Sequence, residues 1–98
     1  MVPEKARRLD IVVYTEVIDR FIDGSITAAE FTQSFLRAMK SERRMLGEPI
    51  HPLLQELFED ADAYVEDPNL RSEPEDLNDE QLRACASRIR RALTDLGF

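Results

Sequence analysis

The sequence predicts an all-α fold, a single-domain antiparallel four-helix bundle that spans residues 1–98. Apolar residues recur at helical spacing in four separate segments. Capping residues, glycines and prolines stand between these segments, and the connections are short, as in antiparallel bundles. A chain of 98 residues has room for one hydrophobic core, and therefore for one domain.

The first helix is predicted to begin after Pro3 and to end near Asp23, because Gly24 can adopt the left-handed conformation that terminates helices. The β-branched run Ile11–Val13 favours a strand, but the apolar stripe has a helical period, which decides for a helix. The stripe that should be buried consists of Leu9, Val13, Val17 and Phe21, with Tyr14 and Ile18 beside it.

The second helix has two start signals, a capping box and a hydrophobic staple. The residues that form them are Thr27 with Glu30 and Ile26 with Phe31. The buried face is expected to contain Phe31, Phe35, Ala38 and Met39. Polar residues continue the element through 40–44, and Gly47 with Pro49 is expected to end it.

The third helix is predicted to open at Pro52 or Leu53 and to stop at Asp67, because the residue before Pro68 disfavours helical backbone. One arc is apolar and contains Leu53, Leu54, Leu57, Phe58, Ala61, Tyr64 and Val65. The opposite arc is acidic and contains Glu56, Glu59, Asp60, Asp62, Glu66 and Asp67. No basic residue relieves the repulsion among these acids along the helix, which favours a function for the acidic arc.

The fourth helix is predicted to start at Asn78, which forms a second capping box with Gln81, and to end at Gly97. Its expected buried stripe is Leu82, Cys85, Ile89, Leu93 and Leu96. Its expected outward ridge is Arg83, Arg88, Arg90 and Arg91. This ridge is either a solvated face or an intramolecular clasp with the acids of the third helix.

The charge of the chain is concentrated in residues 55–80, where eleven acidic residues and one basic residue give a local charge of −10. The rest of the chain has twelve basic and nine acidic residues, a charge of +3. Such a field steers a basic partner and repels nucleic acid. The simplest alternative is a solvated helix face, and the dipole of the fourth helix already accounts for Asp79 and Glu80.

The sequence offers little for catalysis, cofactor binding or metal binding, and we expect none of them. His51 is the only histidine, and Cys85 has the setting of a small core residue rather than a nucleophile. No apolar run is long enough for a membrane span, and the N-terminus has no signal core. We therefore expect a cytoplasmic protein that binds neither membrane nor nucleic acid directly.

Two parts of the chain carry a family resemblance. The first is Phe21–Phe35 (FIDGSITAAEFTQSF) followed by Glu42–Arg44, and the second is Leu57–Arg71 (LFEDADAYVEDPNLR) followed by LNDEQLR at 77–83. In this order and spacing they resemble the bacterial self-protective immunity proteins related to the colicin D immunity protein. Related proteins accompany toxins of contact-dependent growth inhibition systems.

The resemblance implies a four-helix bundle that neutralises the nuclease domain of a cognate toxin, often a tRNA-cleaving ribonuclease, by covering its active cleft. We expect a 1:1 complex with a basic toxin domain and a monomer when the protein is free. The alternative is an acidic protein-interaction adaptor or regulatory docking module that has no toxin partner.

The family pattern also matches individual positions of the second half, which are Asp60, Asp62, Tyr64, Asp67, Pro68 and Arg71. Of these, Tyr64 is expected in the core, while Pro68 and Arg71 are expected to shape the turn. The residues expected to face the toxin are Glu56, Glu59, Asp60, Asp62, Glu66 and Asp67, with Glu73, Glu75 and Asp76 at the rim.

Overall fold

The computed structural model describes residues 10–70 and 76–98. Its helices, in chain order, are α1 Val12–Ile22, α2 Ala28–Ser41, α3 Ile50–Asp62 and α4 Asp79–Asp95, with a 3₁₀ turn at Pro68–Leu70 between α3 and α4. The part of the chain that the structure describes contains no β-strand, only an isolated bridge between Tyr64 and Leu77. The predicted all-α class is therefore confirmed.

Each helix packs against the next one in the chain, and α4 closes the arrangement by packing on α1. Helix α2 also reaches α4 across the middle, whereas α1 and α3 make no helix contact in the described ranges. The two helices that do not touch therefore lie on opposite sides of the core. The antiparallel direction of neighbouring helices stays a prediction.

The core is built around a row of aromatic rings shared by α1 and α2. Phe21 stacks on Phe31 with centroids 4.6 Å apart, Phe31 stacks on Phe35 at 5.4 Å, and Tyr14 meets Phe35 edge to face at 5.9 Å. These four rings are fully buried. Such pairs add to the free energy of burial, by about 0.5–1.5 kcal/mol for each favourable geometry.

Both predicted capping boxes are present. In the first, the Thr27 hydroxyl accepts from the Glu30 N–H at 3.1 Å, while the Glu30 carboxylate accepts from the Thr27 N–H at 2.9 Å. Asn78 and Gln81 exchange the equivalent bonds at 2.8 and 2.9 Å. Gly24 ends α1 with φ at +85°, as predicted. These signals depend on neighbouring residues alone, so the sequence is enough to find them.

The buried face of α1 differs from the predicted stripe. Ile11, Tyr14, Ile18 and Phe21 are the residues of this segment that are buried, whereas Val13 is 56% exposed and Val17 is half-buried. Leu9 lies outside the described residues. Both stripes have helical spacing, so the pattern alone does not choose between them. The Tyr14 hydroxyl favours the observed one, because it reaches acceptors inside the bundle, with the Glu42 carboxylate at 2.7 Å and the Ala38 carbonyl at 3.2 Å.

Helix α2 ends earlier than predicted, at Ser41 instead of near Gly47. Glu42 has extended backbone (φ −70°, ψ 123°) and turns its carboxylate toward the Tyr14 hydroxyl, which donates to it at 2.7 Å. Arg44 then folds back onto Glu42. If Glu42 were helical, the chain would continue along the α2 axis. The hydrogen bond from Tyr14 of α1 instead holds Glu42 in the extended conformation that ends the helix.

Helix α3 begins at Ile50, before the predicted Pro52 or Leu53, and ends at Asp62, five residues before the predicted stop. The cause of the early end is the bridge between the two sides of the α3–α4 connection. The Leu77 N–H donates to the Ala63 carbonyl at 3.0 Å, and the Val65 N–H donates to the Leu77 carbonyl at 3.1 Å. This long-range pairing takes the backbone out of the helix, and no local signal announces it.

Helix α4 matches its prediction at the start and differs in its buried stripe. Leu82, Ile89 and Leu93 are buried as expected. Ala86 is buried as well, while Cys85 is half-buried and Leu96 is 41% exposed. Leu96 is exposed because it follows the last helical residue and serves as the C-cap, where the backbone leaves the core.

Candidate functional site

The acidic surface, as defined by the sequence, falls on three parts of the structure. Glu56, Glu59, Asp60 and Asp62 are on α3, Glu66 and Asp67 follow its end, and Asp76 immediately precedes the bridge residue Leu77. Glu73 and Glu75 lie outside the described residues. The structure therefore places four of the nine predicted residues on one helix and leaves two of them beyond description.

The outer edge of α3 is formed by Glu59 and Asp62, which are both exposed. Glu59 receives one long hydrogen bond from Gln55 Nε2, at 3.4 Å. Neither carboxylate is in an ion pair with a described residue. The two acids stand three positions apart, so they project from the same side of the helix and their charges add.

The inner edge of α3 faces α4 and is partly neutralised. Arg88 Nη1 forms an ion pair with Glu56 Oε2, which joins the two helices. This bond raises the pKa of Arg88, while partial desolvation opposes the shift. For Arg88, the structure therefore supports the clasp that the sequence left open beside the solvated face.

Asp60 lies on the same inner edge and is half-buried. Its Oδ2 atom is shielded from solvent and has no hydrogen-bond partner among the described residues. Burial raises the pKa of this carboxyl group, and the nearby Cys85 thiol and Arg88 act in the opposite direction. Burial likewise raises the pKa of Cys85, followed by the negative charge of Asp60. A thiol held in its protonated form is a poor nucleophile, in agreement with a packing role for Cys85.

Two further arginines of the α4 ridge face α1, and the prediction that they point outward is wrong. The Arg83 guanidinium lies over the Phe21 ring at 4.9 Å and donates through Nε to the Phe21 carbonyl at 3.3 Å. Arg90 Nε donates to Asp19 Oδ1 at 2.7 Å. Both are half-buried because these partners cover them. Most of the ridge therefore fastens α4 to its neighbours.

A network that the sequence did not predict joins α1 to the segment after α2. Glu42 accepts from the Tyr14 hydroxyl at 2.7 Å and from Arg44 Nη2 and Nε, each at 2.8 Å. Arg44 Nη1 also donates to the Asp10 carbonyl at 2.7 Å. The bonds from Arg44 and then Tyr14 lower the pKa of Glu42 to about 2, while burial raises the pKa of Tyr14. Glu42 and Arg44 belong to the family-like segment, but nothing in their spacing indicates Tyr14 as a partner.

The described residues contain few features that suit catalysis. His51 is exposed and lines a cleft of about 200 Å³ that Lys40, Glu42 and Arg44 also border. In the described ranges, no three His, Cys, Asp or Glu side chains form a group that could hold a metal ion. Nor does any described helix have the length and apolar character needed to cross a membrane. The exposed acids of α3 are thus the main chemical feature of this surface.

Comparison with known families decides the broad identity of the chain. A family model described as bacterial self-protective colicin-like immunity matches residues 9–93, which includes α1, α2, α3, the acidic surface and all of α4 except its last two residues. The chain belongs to this family. No curated protein and no solved structure shows a significant match to it.

Membership of the colicin-like immunity family has direct consequences for function. It indicates a protein that neutralises a toxin, that binds a cognate toxin as its partner, and that acts as an inhibitor rather than a catalyst. The resemblance found in the sequence is confirmed at the level of the family.

Proposed function

We propose that this colicin-like immunity protein inhibits a nuclease toxin by placing the acidic surface of α3 over the toxin's basic active cleft. The observation that carries the proposal is the pair of exposed carboxylates at Glu59 and Asp62, which have no ion pair with the described residues. They stand in a segment with a charge of −10 on a chain of charge −7. Family membership supplies the toxin as the class of partner.

The charge of a nuclease cleft explains why an acidic helix can block it. A nuclease holds its substrate by the phosphates, so its cleft must be basic. Carboxylates on a preformed helix occupy such a cleft with little loss of conformational entropy, because the backbone that holds them is already ordered. Charge complementarity also accelerates association, which matters when a toxin has to be stopped before it cleaves its substrate.

The contacts of α3 divide the proposed binding residues into two groups. Glu59 and Asp62 are the proposed central contacts, with Glu66, Asp67 and Asp76 beside them and Glu73 and Glu75 at the rim. Glu56 and Asp60 are turned toward α4, where Arg88 is a partner of the first and a neighbour of the second. We assign these two residues to holding α3 in place beneath the binding surface.

The stoichiometry of the complex, its cellular compartment and the class of toxin can also be proposed. We propose a 1:1 complex in the cytoplasm that buries about 800 Å² on each side, the usual size of a specific interface. The proposed toxin is a tRNA-cleaving ribonuclease of a colicin or contact-dependent inhibition system. An acidic adaptor without a toxin partner is the alternative, but no observation in the structure favours it over inhibition.

The test is co-expression of the chain with the nuclease domain encoded beside its gene, scored by cell survival and by the integrity of cellular tRNA. We expect survival with intact tRNA. Survival with intact tRNA in cells that carry the nuclease domain without the chain would show that the domain is inactive, so this control is read first. Death with cleaved tRNA, although the chain is expressed and folded, would reject the proposal for that toxin.

A further inference from the structure

Two valines at the start of α1 are exposed, at positions where a helix surface would ordinarily be polar. Val12 and Val13 are 58% and 56% exposed. Together with Val17 and Ile26 they line a groove of about 390 Å³ between α1 and the start of α2. Exposed β-branched residues lower helix propensity and gain no burial in the free chain, so folding gives no reason for them. An apolar groove of this kind is typical of an interaction site.

The charged residues of the same groove are balanced. Glu16 and Arg20 also line it, and they form an ion pair of 2.8 Å with 55% and 59% of their side chains exposed. The groove therefore carries one negative and one positive charge. Two copies of a chain of charge −7 repel each other most through their acidic surfaces and least through a face with no net charge. Because α1 does not touch α3, the groove lies away from the acidic surface.

We propose that this groove is where two copies of the chain associate, through an antiparallel pairing of their α1 helices. In such a pairing around a two-fold axis level with position 18, Glu16 of each copy faces Arg20 of the other. Val12 and Val13 of each copy then approach the opposite end of the other groove, where Ile26 lies. A two-fold contact requires one surface to be complementary to itself, and a groove with opposite charges and apolar ends meets this condition.

This association replaces the monomer that the sequence predicts for the free protein. Val13, which the sequence pattern places in the core, is exposed in the structure and is therefore available for this contact. The inference does not depend on the identity of the toxin, because the pairing uses α1 and leaves the outer edge of α3 uncovered.

The first experiment measures the mass of the wild-type chain in solution by sedimentation equilibrium, from low micromolar to near-millimolar concentration. We expect a monomer–dimer equilibrium. Val13→Glu should weaken dimerisation by at least about tenfold, because it buries a charge in the apolar contact. The matched control is Leu70→Glu, at another exposed apolar residue outside the groove, which should leave the dimer unchanged.

The second experiment uses charge reversal, with Glu16→Arg and Arg20→Glu as single variants. Each should dimerise at least about tenfold more weakly than the wild type, because like charges then face each other. An equimolar mixture of the two should form a heterodimer, since a groove with two positive charges meets one with two negative charges. If the single variants were weakened only by loss of the intrachain Glu16–Arg20 ion pair, mixing them would not restore dimerisation. Circular dichroism of each variant confirms that it is folded.

A wild-type chain that stays monomeric over the whole concentration range would overturn the inference. A dimer that survives Val13→Glu, or a mixture of the charge variants that stays as weak as each one alone, would overturn the proposed site.

Discussion

Two regions of the molecule use carboxylates in opposite ways. At the junction of α1 with the end of α2, Glu42 is bonded to Tyr14 and Arg44, and these bonds lower its pKa to about 2. At the outer edge of α3, Glu59 and Asp62 are exposed and have no ion pair with a described residue. An acidic residue whose bonds are complete contributes to folding, whereas one that faces water remains free for a partner. Acid count alone therefore does not identify a binding surface.

The largest expected effect is on binding, and it comes from the outer edge of α3. The double variant Glu59→Lys/Asp62→Lys should weaken toxin binding by roughly 100-fold or more, and a lower association rate should account for part of this loss. Folding stability should change little, because these side chains have no ion pair to lose among the described residues. Surface plasmon resonance at several salt concentrations measures both the rate and its salt dependence.

The matched control for this variant is Glu48→Lys/Asp95→Lys, which changes the net charge equally at two exposed acids outside the acidic surface, one just before the start of α3 and one at the end of α4. It should lower the association rate only slightly. Equal losses in the two double variants would mean that net charge, and not the surface of α3, drives the interaction.

The next largest effect is on folding stability, at the junction of α1 with the end of α2. Glu42→Ala should lower the free energy of unfolding by about 1–3 kcal/mol, because the Arg44 guanidinium loses its acceptor and the buried Tyr14 hydroxyl keeps only the longer contact with the Ala38 carbonyl. Toxin binding by the folded variant should be unchanged. Urea denaturation measures the first quantity and titration calorimetry the second. A variant as stable as the wild type would show that the network is dispensable.

The pH dependence of stability should also separate Glu42 from Asp60. The pKa of Glu42 is lowered to about 2 on folding, so its contribution is complete above its ordinary value of 4.5 and is lost as pH falls toward 2. The pKa of Asp60 is raised, so its charged form opposes folding and protonation relieves this cost as pH falls. The stability advantage of the wild type over Glu42→Gln should therefore shrink as pH falls. In contrast, the wild type should gain stability relative to Asp60→Asn as pH falls. The readout is urea denaturation between pH 2 and 7, and parallel curves for the two variants would contradict this assignment.

The smallest effect is expected at the inner edge of α3. Glu56→Gln should cost less than about 1 kcal/mol of folding stability, because its ion pair with Arg88 is largely exposed to solvent. It should also leave toxin binding within about threefold of wild type, because Glu56 is turned toward Arg88 of α4 and lies outside the proposed contact with the toxin. Loss of binding comparable to that of the outer-edge variant would place Glu56 in the interface and remove the distinction between the two edges of α3.

The sequence predicts the parts of this fold that depend on near neighbours. The capping boxes at Thr27 and Asn78 and the helix end at Gly24 follow from residues within a few positions of one another. The end of α3 at Asp62 does not, because it depends on the pairing of Tyr64 with Leu77 across the α3–α4 connection. The burial of Tyr14 in place of Val13 depends likewise on a contact with Ala38.

The candidate site shows the same limit. The sequence identifies the acids of α3 and the class of partner, and it names a clasp with the arginines of α4 as one possibility. It does not show that Arg88 takes up Glu56, nor that Arg83 and Arg90 turn to α1, because these contacts join residues 32 to 71 positions apart. Charge patterning thus reveals that acids are present, and only tertiary contacts reveal which of them remain exposed.

The most direct test of the account is competition between this chain and RNA for the nuclease domain. A catalytically inactive nuclease domain bound to fluorescently labelled RNA is titrated with the wild-type chain, and fluorescence anisotropy is recorded. If the acidic surface covers the basic cleft, the RNA is released in proportion to complex formation, and Glu59→Lys/Asp62→Lys releases it only at much higher concentration. A ternary complex in which the RNA stays bound while the chain also binds would contradict the proposed occlusion of the cleft.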